Sequence, residues 1–213
     1  MNDSKAPVNQ RRKPKQSRAL AKYDAVLKAC TQVLAEYGYE KTTILELSLA
    51  SDVAVPTIYQ YFESKERIFI AWLDNAIDQI LDDAAHSVIF QTDKTINDFI
   101  NSTLQQSFAA IDLYRESIHK LLVDLPHILV SHALTTAQTK TATALSQMVA
   151  GYIDDKQAVA FKKRLNILMQ CILGFVLQRI MIEDSETLAV DSEEISILVT
   201  AYLGDFIDLR TNA

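Results

Sequence analysis

The stretch covering residues 38–69 constrains the fold of this chain more than any other. Thr43 and Glu46 have the spacing of a capping box, which predicts a helix start, and apolar residues follow at helical spacing. Asp52 then tolerates the left-handed conformation that a sharp turn between helices often demands. Pro56 fits the first turn of a following helix, because its missing N–H costs little there. The stretch therefore predicts a helix, a tight turn and a second helix.

The second helix should begin close to Val55 and have one apolar and one polar face. Ile58 and Phe62 lie four residues apart, so they share a face that we expect in the core. The remaining positions carry Thr, Gln and Tyr, whose hydroxyls and amide can bond phosphates and base edges in the major groove of DNA. An ordinary helical hairpin with surface tyrosines has the same periodicity. Periodicity alone leaves both interpretations open.

Residue identities agree with a known family over about thirty positions of this stretch. The matching residues are Gly38 through Thr43, then Val55, Pro56, Thr57, Ile58, Tyr59, Gln60, Tyr61 and Phe62, and finally Ser64, Lys65 and Glu66. They closely resemble the DNA-binding domain of the tetracycline-repressor-like (TetR) family of bacterial transcription regulators. The resemblance covers residues 17–72, and the remainder is similar to the family only in length and helical character. Asp52 departs from the family, which often has a small residue such as glycine there.

Composition indicates an all-α chain. Of 213 residues only four are Gly and four are Pro, and no sustained period-two alternation occurs. The net charge of −6 is unevenly divided. Residues 1–65 hold ten Lys and Arg against seven Asp and Glu, a balance of +3, whereas the rest holds 11 against 20, a balance of −9. This asymmetry indicates a basic docking end on an acidic body.

We expect three parts along the chain. Residues 1–16 should form a disordered basic arm, which contacts phosphates or a minor groove, or merely solubilises the protein. Residues 17–64 should form a three-helix, helix-turn-helix DNA-binding domain whose first helix is capped by Ser17 and ends with Gly38 as its C-cap. Residues 65–213 should form a larger helical domain, to which the resemblance assigns ligand binding and dimerisation.

Further helices are predicted in this larger part. They cover residues 65–89 with Ser64 as cap, 95–125 with a break near Asp112 and an end at Pro126, 128–153, 156–182 and 192–209. The helix from residue 128 is rich in Thr and Ala, which suits either a ligand pocket or close helix packing. Apolar stripes on the last two helices are wide enough for a two-fold interface, unless both faces are buried within one copy. We expect the apolar run 167–182 not to span a bilayer.

No catalytic or metal-binding constellation is recognisable. The four His lack metalloprotease spacing, and neither a Gly-rich phosphate loop nor a GxSxG motif occurs. Cys30 and Cys171 lack the paired spacing of a zinc site or a disulfide framework, so we expect two buried thiols. We therefore expect no enzyme, no cofactor and no metal. The N-terminus is polar and shows no secretory signal, so a cytoplasmic location is expected.

The resemblance implies a function and a set of DNA-binding residues. It implies a homodimer that binds a palindromic operator, most often as a repressor, with two recognition helices in successive major grooves about 34 Å apart. The predicted DNA-binding residues are Arg11, Arg12, Lys13, Thr42, Thr43, Val55, Pro56, Thr57, Tyr59, Gln60, Tyr61 and Lys65. Thr57 and Gln60 are expected at base edges, and Val55 and Pro56 at thymine methyl groups. The other helical residues of this set are expected at phosphates.

The resemblance also implies an unknown small apolar or amphipathic effector, which would release the DNA by shifting the fourth helix. Candidate pocket residues are Phe108, Tyr114, His119 and Gln170. A competing function is that of a helical binding protein whose N-terminal unit contacts another protein. Salt distinguishes the two functions, because binding through several phosphates weakens steeply as salt rises.

Overall fold

The computed structural model describes residues 14, 16–89, 96–128, 132, 134–149, 155–182 and 192–207. The elements are α1 Ser17–Lys41, α2 Ile44–Ser51, α3 Val55–Tyr61, α4 Lys65–Ile89, α5 Ile96–Asp124, α6 Pro126–Ile128, α7 Leu134–Val149, α8 Asp155–Met181 and α9 Ser192–Ile207. No strand occurs in these ranges, which confirms the predicted all-α fold. The predicted basic arm, with Arg11, Arg12 and Lys13, lies outside the described residues.

The chain forms two compact units, Met1–Trp72 and Leu73–Ala213. In the first unit α1 packs against α2 and α3, as expected for a helix-turn-helix domain. The predicted functional boundary after residue 64 falls before α4, whereas the first compact unit also includes the first turns of that helix. The reason is that Phe69 and Trp72 are buried there, and the Trp72 indole donates a hydrogen bond to the Thr31 hydroxyl of α1 at 3.0 Å.

α1 differs from the prediction at its N-terminus. Its N-cap residue is Gln16 and no side chain makes a capping bond, so the predicted Ser17 cap is wrong. At Gly38 the backbone has φ 73° and ψ 174°, a non-helical conformation that is essentially restricted to glycine. The regular helix therefore stops at Gly38, as predicted, and a further helical turn follows the kink up to Lys41.

The turn between α2 and α3 has the predicted local structure. The Thr43 hydroxyl accepts the N–H of Glu46 at 3.2 Å, and the Glu46 carboxylate accepts the N–H of Thr43 at 2.6 Å, which completes the capping box. Asp52 follows α2 in the left-handed region, with φ 54° and ψ 31°. Pro56 lies in the first turn of α3, where no intrahelical N–H bond is lost. Local sequence thus determines where α2 ends and α3 begins.

Lys65, the first residue of α4, is bonded to the end of α1. Its ammonium donates to the carbonyl oxygens of Tyr39 at 2.8 Å, Thr42 at 3.1 Å and Glu40 at 3.4 Å. The same nitrogen lies 4.1 Å from the centre of the Tyr39 ring, which meets Phe69 edge-on. Carbonyls at a helix end lack intrahelical partners and carry partial negative charge, so a cation is favourable there. Lys65 thereby fixes the start of α4 against the end of α1.

In the second unit α5 is one continuous helix, so the predicted break near Asp112 is wrong. Neither Gly nor Pro interrupts the sequence there. The Asp112 carboxylate accepts two bonds from the Arg179 guanidinium of α8, at 2.8 and 2.6 Å. α5 ends at Asp124, before Pro126, as predicted. The helix predicted from residue 128 corresponds to α7, which is described from Leu134; residues 129–131 and 133 lie outside the described residues.

The part of α4 that belongs to the second unit makes three polar pairs at its surface, beside its buried residues Leu73 and Ala76. They are Asp74 with His132 at 2.8 Å, Asp78 with Lys140, and Gln79 with Tyr114. All three partners on α4 lie within two turns of one another. Pairs of this kind at the surface contribute about 0–1 kcal/mol each, so they can be exchanged at low cost.

The last two helices carry the predicted apolar surplus. By length and composition Gln157–Met181 of α8 is long and apolar enough to cross a membrane, with a mean hydropathy of 1.2. We expected the apolar run 167–182 not to span a bilayer. The apolar part of the helix is longer than this run, because it begins at Gln157. Only 22% of the most apolar window is buried within the chain. α8 thus leaves apolar surface uncovered.

The contacts of Lys65 predict a loss of stability when its charge is removed. Lys65→Met leaves helix-end carbonyls without their cationic partner, and we expect the free energy of unfolding of the first unit to fall by about 1–3 kcal/mol. The single Trp of the chain, Trp72, is buried in this unit, so its fluorescence during urea unfolding measures the effect.

Lys41→Met is the matched control for this measurement, because Lys41 is an exposed lysine in the last turn of α1. We expect a change within about 0.5 kcal/mol for it. Equal urea midpoints for Lys65→Met and wild type would show that the contacts of Lys65 do not stabilise the unit.

Candidate nucleic-acid interface

α3 divides its side chains between the core and the surface. Ile58 is fully buried and Phe62, directly after the helix, is 4% exposed, as predicted from their spacing. The Phe62 ring stacks on Tyr23 of α1 with 4.7 Å between ring centres. Apart from half-buried Tyr61, the remaining positions of the helix form what we call the α3 face: Val55, Pro56, Thr57, Tyr59 and Gln60. Buried anchors on one side thus fix the residues that α3 presents on the other.

The α3 face is polar but uncharged. Pro56 and Gln60 are exposed, Tyr59 is 46% exposed, and Val55 and Thr57 are half-buried. Together they offer an amide, two hydroxyls and apolar groups. Such groups can bond base edges and phosphate oxygens and can contact thymine methyls.

The two threonines before α2 have different positions. Thr42 is 1% exposed, and its hydroxyl donates to the Gly38 carbonyl at 2.6 Å. Thr42 is therefore not on the surface, and its predicted contact with DNA is corrected. Thr43 is exposed. Its hydroxyl oxygen accepts the capping bond, which leaves the hydroxyl hydrogen for an outside acceptor.

Lys65 and Tyr61 are less accessible for contacts with DNA than the sequence indicated. An ammonium has three donors, and that of Lys65 meets three backbone carbonyls, so its contacts are structural. Burial, followed by the nearby carboxylates of Glu66 and Glu40, raises the pKa of the Tyr39 phenol under this ammonium. Tyr61 is half-buried, and its ring meets Tyr23 edge-on with 6.2 Å between ring centres.

The two thiols also differ from each other. Cys30 is buried, donates to the Val26 carbonyl at 3.2 Å, and has its pKa raised by burial. Cys171 is exposed on α8, so the prediction of a buried thiol is wrong for it. No group of three or more His, Cys, Asp or Glu that could hold a metal ion occurs in the described ranges.

The four predicted pocket residues differ in burial and in their known contacts. Phe108 is buried beneath a guanidinium from α8, which lies 5.6 Å from the ring centre. The Tyr114 hydroxyl donates to a side chain of α4. His119 is half-buried and Gln170 is exposed. The contacts of Phe108 and Tyr114 are with different helices, α8 and α4, and the assignment of the four residues to one pocket stays a prediction.

Two features of the second unit were not predicted from the sequence. Asn101 of α5 has a buried side-chain oxygen, Oδ1, that meets no hydrogen-bond partner in the part of the chain described here. Three threonines of α7 at four-residue spacing, Thr135, Thr139 and Thr143, are exposed. These three hydroxyl-bearing side chains therefore stay on the surface that the described residues form.

Comparison with known proteins agrees with this geometry. Residues 26–72 match the model of the family described as bacterial regulatory proteins, tetR family. The HTH-type transcriptional repressor ComR of Escherichia coli (strain K12) is 35% identical over 89 residues, which are 41% of this chain and 40% of that repressor. The chain thus matches less than half the length of this curated relative.

Solved structures share the fold over nearly the whole chain. A TetR-family transcriptional regulator from Mesorhizobium loti superposes with a TM-score of 0.63 at 14% identity, covering 89% of this chain and 98% of that one. The fatty acid degradation regulator FadR from Bacillus halodurans superposes with a TM-score of 0.56 at 20% identity, covering 92% and 97%. At such identities the likeness shows the fold alone. The N-terminal unit is therefore similar in sequence, over residues 26–72, to the tetR family of bacterial regulatory proteins, and the chain as a whole shares the fold of these solved structures.

Proposed function

We propose that this chain is a ligand-responsive transcription regulator that binds DNA through the α3 face and represses transcription. The observation that carries the proposal is the arrangement of α3. Buried Ile58 and Phe62 hold one side of the helix, while an uncharged face of amide, hydroxyl and apolar groups stays accessible on the other. The same segment lies within the residues that match the regulator family.

In the proposed complex α3 lies in the major groove. Thr57 and Gln60 bond base edges, and Val55 and Pro56 contact thymine methyls. Phosphates are bound by the hydroxyls of Thr43, Tyr59 and Tyr61, which fix the register of the helix on the duplex. Arg11, Arg12 and Lys13 of the arm add basic contacts.

A homodimer through α8 and α9 is the second part of the proposal. Exposed apolar side chains on these helices include Val159, Ile167, Met181, Ile197 and Leu198. Gly174 of α8 has open space around the position of a Cβ, so a second helix can approach closely there. Four such helices from two copies would form a bundle. The dimer would place two α3 faces one DNA turn, about 34 Å, apart on a palindromic operator.

The third part of the proposal is release from DNA by a small apolar or amphipathic effector bound in the second unit. The buried Asn101 oxygen without a partner offers one polar contact for such a molecule. The weak polar pairs of Asp74, Asp78 and Gln79 allow α4 to take up a second arrangement. The effector must bind one arrangement better than the other, since equal affinity shifts no equilibrium.

Salt dependence tests the DNA-binding role. We expect purified protein to bind the DNA flanking its own gene, with affinity that falls about 10³-fold or more between 50 and 200 mM salt, because each phosphate contact releases counterions. Tyr59→Ala should weaken binding about tenfold, since it removes a phosphate donor and an exposed ring. Fluorescence anisotropy of labelled duplexes measures both effects.

Tyr37→Ala is the matched control, because Tyr37 is exposed to a similar degree, 42%, but lies on α1. It should bind as wild type does. Folded wild-type protein that binds neither this DNA nor a genomic fragment library at low salt would contradict the proposal. Binding of a protein partner at the first unit would then become the better explanation.

The interface on α8 and α9 is tested by one substitution. Ile167 is 45% exposed, so Ile167→Glu should leave each subunit folded and place a charge in the proposed interface. We expect sedimentation to show twice the chain mass of 23.9 kDa for wild type and the single mass for the variant. Cys171 should react with a thiol reagent several-fold faster in the variant than in wild type.

Leu113→Glu serves as the control, because Leu113 is 76% exposed on α5 and a charge there should leave the mass unchanged. A wild-type protein that sediments as a single chain at micromolar concentration, with Cys171 fully reactive, would contradict the proposed dimer.

A further inference from the structure

The α3 face lacks the side chains that most often recognise guanine. α3 has the sequence VPTIYQY, which contains no Arg or Lys. An Arg or Lys bonded to guanine O6 and N7 is the commonest specific contact in the major groove. The nearest lysine after α3 is Lys65, and its ammonium is already bonded to three carbonyls of the first unit. A G·C pair therefore has no basic partner on this face.

The α3 face contains one side chain that can form two hydrogen bonds with a single base, the amide of Gln60. Its side chain is exposed, and no hydrogen bond to another described residue holds it. A glutamine amide pairs with adenine through two bonds, in which Nε2 donates to N7 and the N6 amino group donates to Oε1. Guanine presents two acceptors at the same edge, so the amide can satisfy only one of them at a time. Gln60 thus discriminates adenine from guanine.

Pro56 provides a second contact suited to the same kind of base pair. It is exposed and lies four residues before Gln60, so the two side chains share one side of α3. The methyl group of thymine is the apolar feature of the major groove, and an apolar side chain gains by covering it. On one side of α3, Gln60 is therefore suited to bind adenine and Pro56 to contact the methyl group of thymine.

We propose that Gln60 is the specificity-determining residue of this protein and that it selects an A·T pair in each operator half-site, next to a further A·T pair contacted by Pro56. The inference rests on the proposed DNA-binding function. It goes further by stating which base pairs the face accepts and which residue makes the choice.

Selection from a random duplex library tests the inference without a known operator. Full-length wild type, Gln60→Ala and Gln60→Glu are each used to enrich DNA, and the bound sequences are counted. We expect the wild-type motif to contain one A·T pair per half-site whose preference over G·C falls tenfold or more in Gln60→Ala. Gln60→Glu has nearly the same size but lacks the amide donor, so it should shift that position toward cytosine.

Gln32→Ala is the matched control, because Gln32 is an exposed glutamine of α1 in the same unit. Its motif should equal that of wild type. The urea midpoint of Trp72 fluorescence shows whether the first unit of each variant is folded. If Gln60→Ala is not folded, Gln60→Glu alone tests the role of Gln60.

The outcomes separate the two claims. Absence of any enriched motif with folded wild-type protein would count against the DNA-binding function itself. An enriched motif that stays the same in both Gln60 variants, or that has a G·C pair at the position they alter, would overturn the role of Gln60 and leave the function standing. An A·T pair lost specifically in the Gln60 variants supports the inference.

Discussion

The arrangement of the first unit depends on one cation placed against a helix end. The Lys65 ammonium bonds carbonyls at the end of α1 and lies over the ring of Tyr39. Lys65 is the first residue of α4. Its bonds therefore fix the start of α4 beside the end of α1, and α2 and α3 lie in the segment between these two bonded ends. The cation that the sequence suggested for phosphate binding thus has a different use, namely to hold the helices that present the α3 face.

Within that segment, local signals determine the course of the chain. The capping box of Thr43 and Glu46 starts α2, left-handed Asp52 turns the chain, and Pro56 lies in the first turn of α3. Ile58 then anchors α3 in the core. Each feature depends on residues no more than four apart, which explains why sequence predicted all of them. A helix of seven residues is too short to be stable alone, so its anchoring in the core is what makes it usable as a recognition surface.

Predictions failed where the outcome depends on residues distant in sequence. Thr42 has a polar side chain of the kind that usually lies on the surface, but it is buried because the chain turns at Gly38. Phe108 and Tyr114 of α5 contact different helices, which residue type does not predict because it carries no information on which helix packs on which face. Cys171 lies in an apolar pattern yet is exposed, because the apolar width of α8 exceeds what one chain covers. Helix positions follow from local sequence, whereas the direction of each side chain depends on tertiary packing.

The proposed function requires the α3 face to be the surface that meets DNA bases. A photo-crosslinking side chain placed at position 60 tests it most directly, with the same group at exposed Gln105 of α5 for comparison. In the presence of operator DNA we expect crosslinks from position 60 to bases of the major groove and none from position 105. Crosslinks from both positions alike, or from position 60 to protein only, would contradict it.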